Sequence, residues 1–240
     1  MQAFLLAAGL GTRLRPLTNR KPKALVEVNG TPLLKINIDN LTRQGASRIV
    51  VNVHHFADQV IDYIQRSSWE TEVLVSDESC QLLDTGGGLK KAAPLFLPDD
   101  PIVIHNVDIL SHIDIPSILK QHTQSMNLAT LVVSQRQTAR QLLFDSRRQL
   151  TGWTNHNSGE TQWVLHPQSA YEEKAFSGIA VISPQLLSLL PPADHPYAII
   201  PAYLSLAKNH GISYFEHLKE DWLDVGKPET LKLAQSWSLS

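Results

Sequence analysis

Residues 6–18 read Leu6-Ala7-Ala8-Gly9-Leu10-Gly11-Thr12-Arg13-Leu14-Arg15-Pro16-Leu17-Thr18, and Lys21-Pro22-Lys23 follows them closely. The apolar residues before Gly9 predict a short buried strand, and the two glycines predict a sharp turn that ends it. Small residues after a strand expose backbone N–H groups, so a flat base or a phosphate can approach the main chain. Arg13 and Lys23 place cations beside this turn, and fixed cations suit a triphosphate.

This turn differs from the two common phosphate-binding glycine motifs. A Walker A loop requires Gly-x-x-x-x-Gly-Lys-Ser/Thr, which residues 6–18 do not contain. A dinucleotide-binding turn requires a third glycine where this chain has Leu14, which disfavours a nicotinamide-dependent oxidoreductase. An ordinary structural turn would explain the glycines, but it would not explain Arg13 and Lys23 on either side of two prolines.

Outward from the turn, apolar periodicity predicts strands and helices in alternation as far as about residue 135. Predicted strands include 49–53 and 129–134, and predicted helices include 32–45 and 58–64. Such alternation is typical of an α/β chain with a mainly parallel sheet, right-handed crossovers and flanking helices. The remainder is richer in strands and predicts a mixed sheet. We expect one domain over residues 1–240, with halves 1–135 and 136–240.

Composition narrows the functional classes. The chain has 21 Lys and Arg against 23 Asp and Glu, so it lacks the basic field that binding to nucleic-acid phosphates requires. Cys80 is the single cysteine, which excludes an internal disulfide framework and a Cys-rich zinc site. No apolar run approaches the roughly 18 residues of a membrane helix, and the apolar N-terminus lacks the basic region of a signal peptide. We expect a cytoplasmic protein without nucleic-acid or membrane partners.

Two aspartates and a second glycine run are further candidates. Asp108 follows a predicted buried strand, at the sheet edge where open α/β sheets bind ligands, and Asp224 follows another short strand. Two carboxylates together with substrate phosphates are a sufficient oxygen set for Mg²⁺. The run Thr85-Gly86-Gly87-Gly88 precedes a predicted helix, whose first free N–H groups can accept a polar edge or an anion.

These motifs together resemble those of the sugar-1-phosphate nucleotidyltransferases. The resemblance rests on the N-terminal stretch, and the supporting motifs are Leu83-Asp84-Thr85-Gly86-Gly87-Gly88, Asn106-Val107-Asp108, Phe176-Ser177-Gly178-Ile179 and Trp222-Leu223-Asp224-Val225-Gly226. It covers nearly the whole chain. It implies a Rossmann-like nucleotidyltransferase fold and the transfer of a nucleoside monophosphate from a nucleoside triphosphate to a sugar 1-phosphate, with release of pyrophosphate.

The resemblance also implies roles for individual residues, with the nucleotide bound by residues 1–135 and the sugar by residues 136–240. Arg13 and Lys23 are the expected catalytic cations. Asp108 and Asp224 are the expected ligands of a catalytic Mg²⁺. Ser177 and Gly178 are expected to bind the sugar, because the glycine permits its close approach. The expected nucleotide-binding residues are Ala8, Gly9, Gly11, Thr12, Thr85, Gly86 and Gly87, with the glycines of the second run leaving room for a flat ring.

The sequence departs from the family at two positions. Val107 precedes the metal aspartate where the family often has glycine, and the lysine of the usual Glu-Lys-Pro motif has only Lys174 as a counterpart, without the proline. The first departure removes backbone freedom beside the metal aspartate but leaves its carboxylate, and the second assigns no role to Lys174.

Several interpretations of substrate and class stay open from the sequence. The short form most resembles the N-acetylmuramate-1-phosphate uridylyltransferases of cell-wall recycling, which would use UTP, and the alternative is a mannose-1-phosphate guanylyltransferase using GTP. The chain ends soon after Gly226 without hexapeptide repeats, so we expect the transferase core alone. We expect a monomer or a small homo-oligomer. A non-catalytic nucleotide-sugar-binding regulatory protein on the same fold is the alternative of another class.

Overall fold

The computed structural model describes residues 1–166 and 170–237. The strands are β1 (Gln2–Leu6), β2 (Glu27–Val28), β3 (Thr31–Pro32), β4 (Arg48–Val53), β5 (Glu72–Asp77), β6 (Ile102–Asn106), β7 (Ile109–Ser111), β8 (Ala129–Ser134), β9 (Arg140–Asp145), β10 (Leu150–Asn155), β11 (Glu160–Trp163), β12 (Tyr171–Ile182), β13 (Ile212–Glu216) and β14 (Trp222–Asp224). The helices are α1 (Leu33–Arg43), α2 (Ala57–Arg66), α3 (Asp84–Ala92), α4 (Ile115–Ser125), α5 (Gln185–Leu189), α6 (Ile199–Leu206) and α7 (Pro228–Leu233).

A mixed sheet runs through both halves of the chain. Its path is β11-β10-β9-β12-β6-β1-β4-β5, and β8 pairs with β12 while β13 pairs with β8. The strands β1, β4, β5 and β6 are parallel to one another, whereas β12 is antiparallel to β6, β8 and β9. Register places Leu6 beside both Asn52 and Asn106, so the carboxyl ends of β1, β4 and β6 lie together at one edge. This edge carries the candidate site.

Helices cover both faces of the sheet because alternate strand residues point to opposite sides. On one side, Ala3 and Leu5 pack in a cluster with apolar residues of α1, α2 and α4. On the other side, Phe4 packs in a second cluster with apolar residues of α3 and α6. Near-continuous burial of β1, β4 and β6 is the pattern of parallel strands covered by helices on both faces.

The predicted fold class is confirmed, and the structure corrects some boundaries. The strand predicted over 129–134 has those bounds, and the helix predicted over 32–45 is α1. The helix predicted at the second glycine run is α3, but it begins two residues before Gly86, at Asp84, so Gly86, Gly87 and Gly88 lie inside it rather than before it. Among the described residues, no helix combines the length and the apolar composition of a membrane span.

Candidate functional site

Two carboxylates from distant parts of the chain meet at the carboxyl edge of the sheet. The strands β7 and β14 pair antiparallel, and this pairing sets Asp224 opposite Ile109, the residue after Asp108. The Val225 N–H donates to the Asp108 carbonyl at 2.8 Å, and the Gly226 N–H donates to Asp224 Oδ1 at 2.7 Å. These backbone bonds fix both aspartates in position, and the Asp108 residue is 7% exposed.

Gly226 shows how closely the two carboxylates converge. A Cβ at this position would lie 2.8 Å from Arg13 Nη2, 2.8 Å from Asp108 Oδ2 and 2.8 Å from Asp224 Oδ1. The two carboxylate oxygens are therefore no more than twice that distance apart. Glycine is required here because the space that a side chain would fill lies between the charged groups.

Cations from the N-terminal loop contact both carboxylates. Lys23, in a 3₁₀ turn over Lys23–Leu25, forms an ion pair with Asp108 Oδ2. Arg13 reaches Asp108 with Nη2 at 3.7 Å and Asp224 with Nη1 at 3.8 Å, and its side chain is 54% exposed. The exposed side of the Arg13 guanidinium is open to a further anion. The structure brings together all four residues predicted to be catalytic or metal-binding.

The donor set fits a hard divalent cation. No group of three or more His, Cys, Asp or Glu within the described residues could hold a metal alone, so any ion here would rely on Asp108 and Asp224. Mg²⁺ normally takes one or two carboxylates and completes its shell with water and substrate phosphates. Val107 does not disturb this arrangement: its N–H donates to the Leu6 carbonyl at 3.1 Å and its carbonyl accepts from Asn37 Nδ2 at 2.9 Å.

A cleft of about 490 Å³ opens beside these charges. Of the predicted nucleotide-binding residues, Ala8, Gly9 and Thr85 line it. Gly11 and Thr12 hold the loop in shape instead. Gly11 has a φ of 63°, its carbonyl accepts from Thr18 Oγ1 at 2.8 Å, and Thr12 begins the 3₁₀ turn Thr12–Leu14. A nucleotide contact by Gly11 or Thr12 stays a prediction.

The loop is also fixed from below by two buried polar side chains that the sequence analysis missed. Asn52 accepts from the Ala7 and Ala8 N–H groups at 2.7 and 3.3 Å through Oδ1, and it donates from Nδ2 to Glu78 Oε1 at 2.7 Å. Glu78 is fully buried and also accepts from the Leu83 N–H at 3.1 Å, just before α3. Desolvation raises the pKa of the Glu78 carboxyl. The pair ties the first glycine loop to the second.

The second glycine run does not leave the room that the sequence predicts. The N–H groups of Gly86 and Gly87, expected to be free, both donate to the Tyr197 carbonyl, at 2.9 and 3.2 Å. A Cβ at Gly86 would lie 2.5 Å from Tyr197 Cδ2 and 3.0 Å from the Tyr197 carbonyl oxygen. Tyr197 therefore occupies the space expected for a flat ring. Nucleotide binding by these two glycines stays a prediction, but the reason given for it is wrong.

Gly86→Ala is expected to lower the free energy of unfolding by about 1–3 kcal/mol, because the added methyl overpacks against Tyr197. Gly9→Ala is the matched control: nothing lies within 4 Å of its added Cβ, so its change should stay within about 0.5 kcal/mol. Urea unfolding of both variants measures the difference. Equal stabilities would contradict the close packing of α3 on Tyr197.

The two predicted sugar-binding residues are occupied by protein contacts. Ser177 is 1% exposed, and its Oγ lies 2.8 Å from Nε2 of His217. Burial lowers the pKa of His217, which favours the neutral ring, and because Nδ1 donates to the Leu218 carbonyl, Nε2 accepts from Ser177. Gly178 has a φ of 76°, and a Cβ added to it would lie only 2.7 Å from Asn106 Nδ2. The Asn106 side chain, and not a sugar, fills the space beside Gly178. Direct contact of the sugar with Ser177 and Gly178 stays a prediction, but open space at the glycine no longer supports it.

Lys174 is a buried lysine that pairs with two glutamates. Its side chain is 3% exposed, and Nζ donates to both Glu216 carboxylate oxygens at 3.0 Å and lies 3.2 Å from Glu172 Oε2. Desolvation by itself would lower the lysine pKa, but the hydrogen bonds to the two glutamates together raise it. With two acidic partners, Lys174 is not available to a sugar phosphate in this arrangement.

Comparison with known proteins identifies the family. Residues 2–142, more than half of the chain, match the model of the nucleotidyl transferase family. The chain belongs to this family. The resemblance inferred from the motifs is therefore confirmed, and the matched region contains Arg13, Lys23 and Asp108.

The curated relatives of this chain are described as acting on different sugar phosphates. The chain is 28% identical to an N-acetylmuramate alpha-1-phosphate uridylyltransferase of Neisseria meningitidis over 98% of this chain and 97% of the relative. It is 46% identical to a protein of the same description from Caulobacter vibrioides, over 44% of this chain and 45% of the relative. It is 26% identical to a UTP–glucose-1-phosphate uridylyltransferase of Synechocystis over 95% of this chain. The matches to the Caulobacter and Synechocystis proteins span 45% and 60% of those relatives' lengths.

Solved structures confirm the fold. The chain superposes on HddC from Yersinia pseudotuberculosis with a TM-score of 0.75 at 20% identity, covering 98% of this chain and 97% of that one. It superposes on the inositol-1-phosphate CTP transferase of T. maritima with a TM-score of 0.71 at 18% identity, covering 98% and 96%.

One buried histidine lies beside the site. His105 precedes the site residues on β6, and burial lowers its pKa to about 4 although the nearby Asp108 charge opposes the shift. The imidazole is therefore neutral at pH 7.

Proposed function

We propose that this chain transfers a nucleoside monophosphate from a nucleoside triphosphate to a sugar 1-phosphate. An oxygen of the sugar phosphate attacks the α-phosphorus, and the bond from that phosphorus to the bridging oxygen of the β-phosphate breaks. Pyrophosphate leaves, and the product is a nucleotide-sugar. The observation that carries the proposal is the convergence of Asp108, Asp224, Arg13 and Lys23 on one point beside the cleft.

The protein side chains act mainly by positioning and by neutralising charge. The nucleophile is already an anion, so the chain needs no serine, cysteine or histidine to activate it. Arg13 is half exposed and presents a planar fork suited to the oxygens of the leaving pyrophosphate. Lys23 is mostly buried, with 13% of its side chain exposed, and would neutralise the phosphates nearest the reacting centre. Holding two mutually repelling anions together is the main requirement of phosphoryl transfer.

Asp108 and Asp224 would hold a divalent cation, for which we propose Mg²⁺. When bound, such an ion polarises phosphoryl oxygens and stabilises the charge that develops on them. Lys23 and Arg13 pair with the same carboxylates. The two cations therefore offset the repulsion between the aspartates and are already close to the place where phosphate oxygens would enter.

For the substrates we propose UTP and N-acetylmuramate 1-phosphate. The support is the full-length similarity to the Neisseria relative, which covers nearly the whole of both chains, together with the higher identity to the Caulobacter relative. Relatives described as mannose-1-phosphate guanyltransferases match at 25–28% identity over 95% of this chain but only about three-fifths of their own length. GTP with mannose 1-phosphate is therefore the second pair to test.

Pyrophosphate release tests the proposal. The purified chain is incubated with Mg²⁺, one of UTP, GTP, CTP, ATP or dTTP, and one of N-acetylmuramate, N-acetylglucosamine, glucose or mannose 1-phosphate. We expect the highest kcat/KM for UTP with N-acetylmuramate 1-phosphate. A preference for GTP with mannose 1-phosphate would overturn the substrate assignment alone. No release with any pair, although a nucleotide binds, would overturn the proposed reaction and favour a regulatory binding protein.

A further inference from the structure

A second cavity, of about 430 Å³, lies on the α6 side of the sheet. Arg136 and Arg140 line it together with the amides of Gln141 and Gln162. Trp153 and Phe176 supply aromatic surface, and α6 supplies apolar surface. Of the residues that line it, only Phe176 belongs to a motif that indicated the transferase site, and neither arginine was predicted from the sequence.

The cavity adjoins the nucleotide cleft on the same face of the sheet. Phe176 packs with the apolar cluster of α3 and α6, and so do Leu142 and Trp153. Leu6 belongs to the margin of that cluster and lines the nucleotide cleft. The segment leading into α6 also joins the two, because Pro196 lines the cleft and Ala198 lines the second cavity.

The charge of this cavity is one-sided. Two arginines line it, and of the described residues that line it none is Asp or Glu. A cavity with two guanidinium groups, amides and aromatic rings suits a ligand that carries both an anionic group and a sugar-like body. In the proposed reaction the 1-phosphate of the sugar lies at the reacting centre beside Lys23, so a hexose 1-phosphate without an acidic substituent would bring no second anion for these two arginines.

Contacts with Trp222 and Phe176 hold the guanidinium of Arg136 in place. The group stacks on the Trp222 ring at 4.2 Å from its centre, and Nη2 donates to the Phe176 carbonyl. Nη1 is buried and has no hydrogen-bond partner among the described residues. Burial lowers the pKa of this guanidinium, and the charge of Asp224 opposes the shift, which places Arg136 within electrostatic reach of that carboxylate. A desolvated guanidinium with an unpaired nitrogen gains strongly from an arriving carboxylate.

We propose that this cavity is the subsite for an acidic substituent of the sugar, with Arg136 and Arg140 as the partners of its carboxylate. The inference rests on the proposed function and deepens it: the substrate class is a sugar-acid 1-phosphate rather than a neutral hexose 1-phosphate. N-acetylmuramate differs from N-acetylglucosamine by a lactyl ether that ends in a carboxylate. The aromatic rings and amides pack against the ether and the acyl group, and the arginines bind the charge.

A comparison of two sugar phosphates that differ only in the lactyl group tests the subsite. We expect the wild-type chain to prefer N-acetylmuramate 1-phosphate to N-acetylglucosamine 1-phosphate in kcat/KM with UTP. Arg140→Gln and Arg136→Lys should each lower that preference by about 10- to 100-fold, as expected for the loss of a hydrogen bond to a charged group. Arg136→Lys keeps the charge but removes the planar fork.

Arg147→Gln is the matched control, because Arg147 is an exposed arginine on the turn between β9 and β10 and should leave the preference unchanged. Equal losses for the two sugars in the Arg140 and Arg136 variants, or no change in their ratio, would overturn the subsite. Calorimetric binding of each sugar phosphate is measured alongside turnover. A wild-type chain that binds the acidic sugar through Arg140 but releases no pyrophosphate would contradict the proposed reaction and support the subsite.

Discussion

Asp108→Asn is expected to lower kcat for pyrophosphate release by about 10²–10³ when Mg²⁺ and both substrates are present. The introduced asparagine would keep the shape of the side chain and lose its charge, so a divalent cation would be left with Asp224 alone. Lys23 would also lose the ion pair that holds it at the centre of the site. The expected loss is therefore in turnover rather than in the affinity for the nucleoside triphosphate.

Asp62→Asn is the control for Asp108→Asn. Asp62 is exposed on α2 and pairs with Arg66 at 2.7 Å, and neither residue lines the cleft, so its variant should keep the wild-type kcat. Thermal melting of both variants separates a loss of turnover from a loss of folding. Calorimetric titration with Mg²⁺ in the presence of the triphosphate should show weaker binding for Asp108→Asn. Near-normal pyrophosphate release by a folded Asp108→Asn variant would contradict the assignment of Asp108 as a metal ligand.

The sequence predicted those site residues whose residue type and position along the chain together indicate a role. Asp108 stands at the carboxyl end of a buried strand, and Arg13 and Lys23 flank a glycine turn, so type and position together indicated their roles. The same rule applied to β4 would have drawn attention to Asn52, which also lies near the end of a buried strand. Arg136 follows β8 in the same way.

The incorrect reasons share a physical cause, which is that a glycine in the sequence says nothing about what fills the space beside it. Gly86 and Gly178 were expected to admit substrate, but Tyr197 and Asn106 occupy those spaces. Tyr197 is distant from Gly86 in the sequence, and the β12 bulge that sets Gly178 against Asn106 depends on pairing with two other strands. Neither contact leaves a local pattern. Fold class was predictable because alternation of strands and helices is local, whereas these packings are not.

Asn52→Asp is expected to destabilise the fold more strongly as the pH rises. The substitution places a second buried carboxyl at the position where Asn52 Nδ2 now donates to Glu78 Oε1 at 2.7 Å. Two carboxylates in one buried space cannot both be ionised, so one keeps a proton that the unfolded chain has released above about pH 5. Its pKa in the folded variant is raised, and stability is therefore lost as the pH rises toward that value.

Measurement of the free energy of unfolding between pH 6 and 8 checks the expected slope. The difference between the variant and the wild-type chain should widen by up to about 1.4 kcal/mol per pH unit, which corresponds to one extra proton bound by the folded variant. The wild-type carboxyl of Glu78 already has a raised pKa from desolvation, so the wild-type curve must be measured over the same range. A difference that is independent of pH would contradict direct contact between residues 52 and 78.

The double variant Asn52→Asp/Glu78→Gln decides whether the pair acts as a unit. The introduced glutamine amide would donate to the introduced aspartate, which would still accept from the N–H groups of Ala7 and Ala8, so the buried pair would again carry at most one charge. The glutamine carbonyl could also accept from the Leu83 N–H and keep the first glycine loop joined to α3. Most of the lost stability should return, and the added pH dependence should disappear. If the double variant were as unstable as Asn52→Asp, the two loops would be held together by contacts other than this hydrogen-bonded pair.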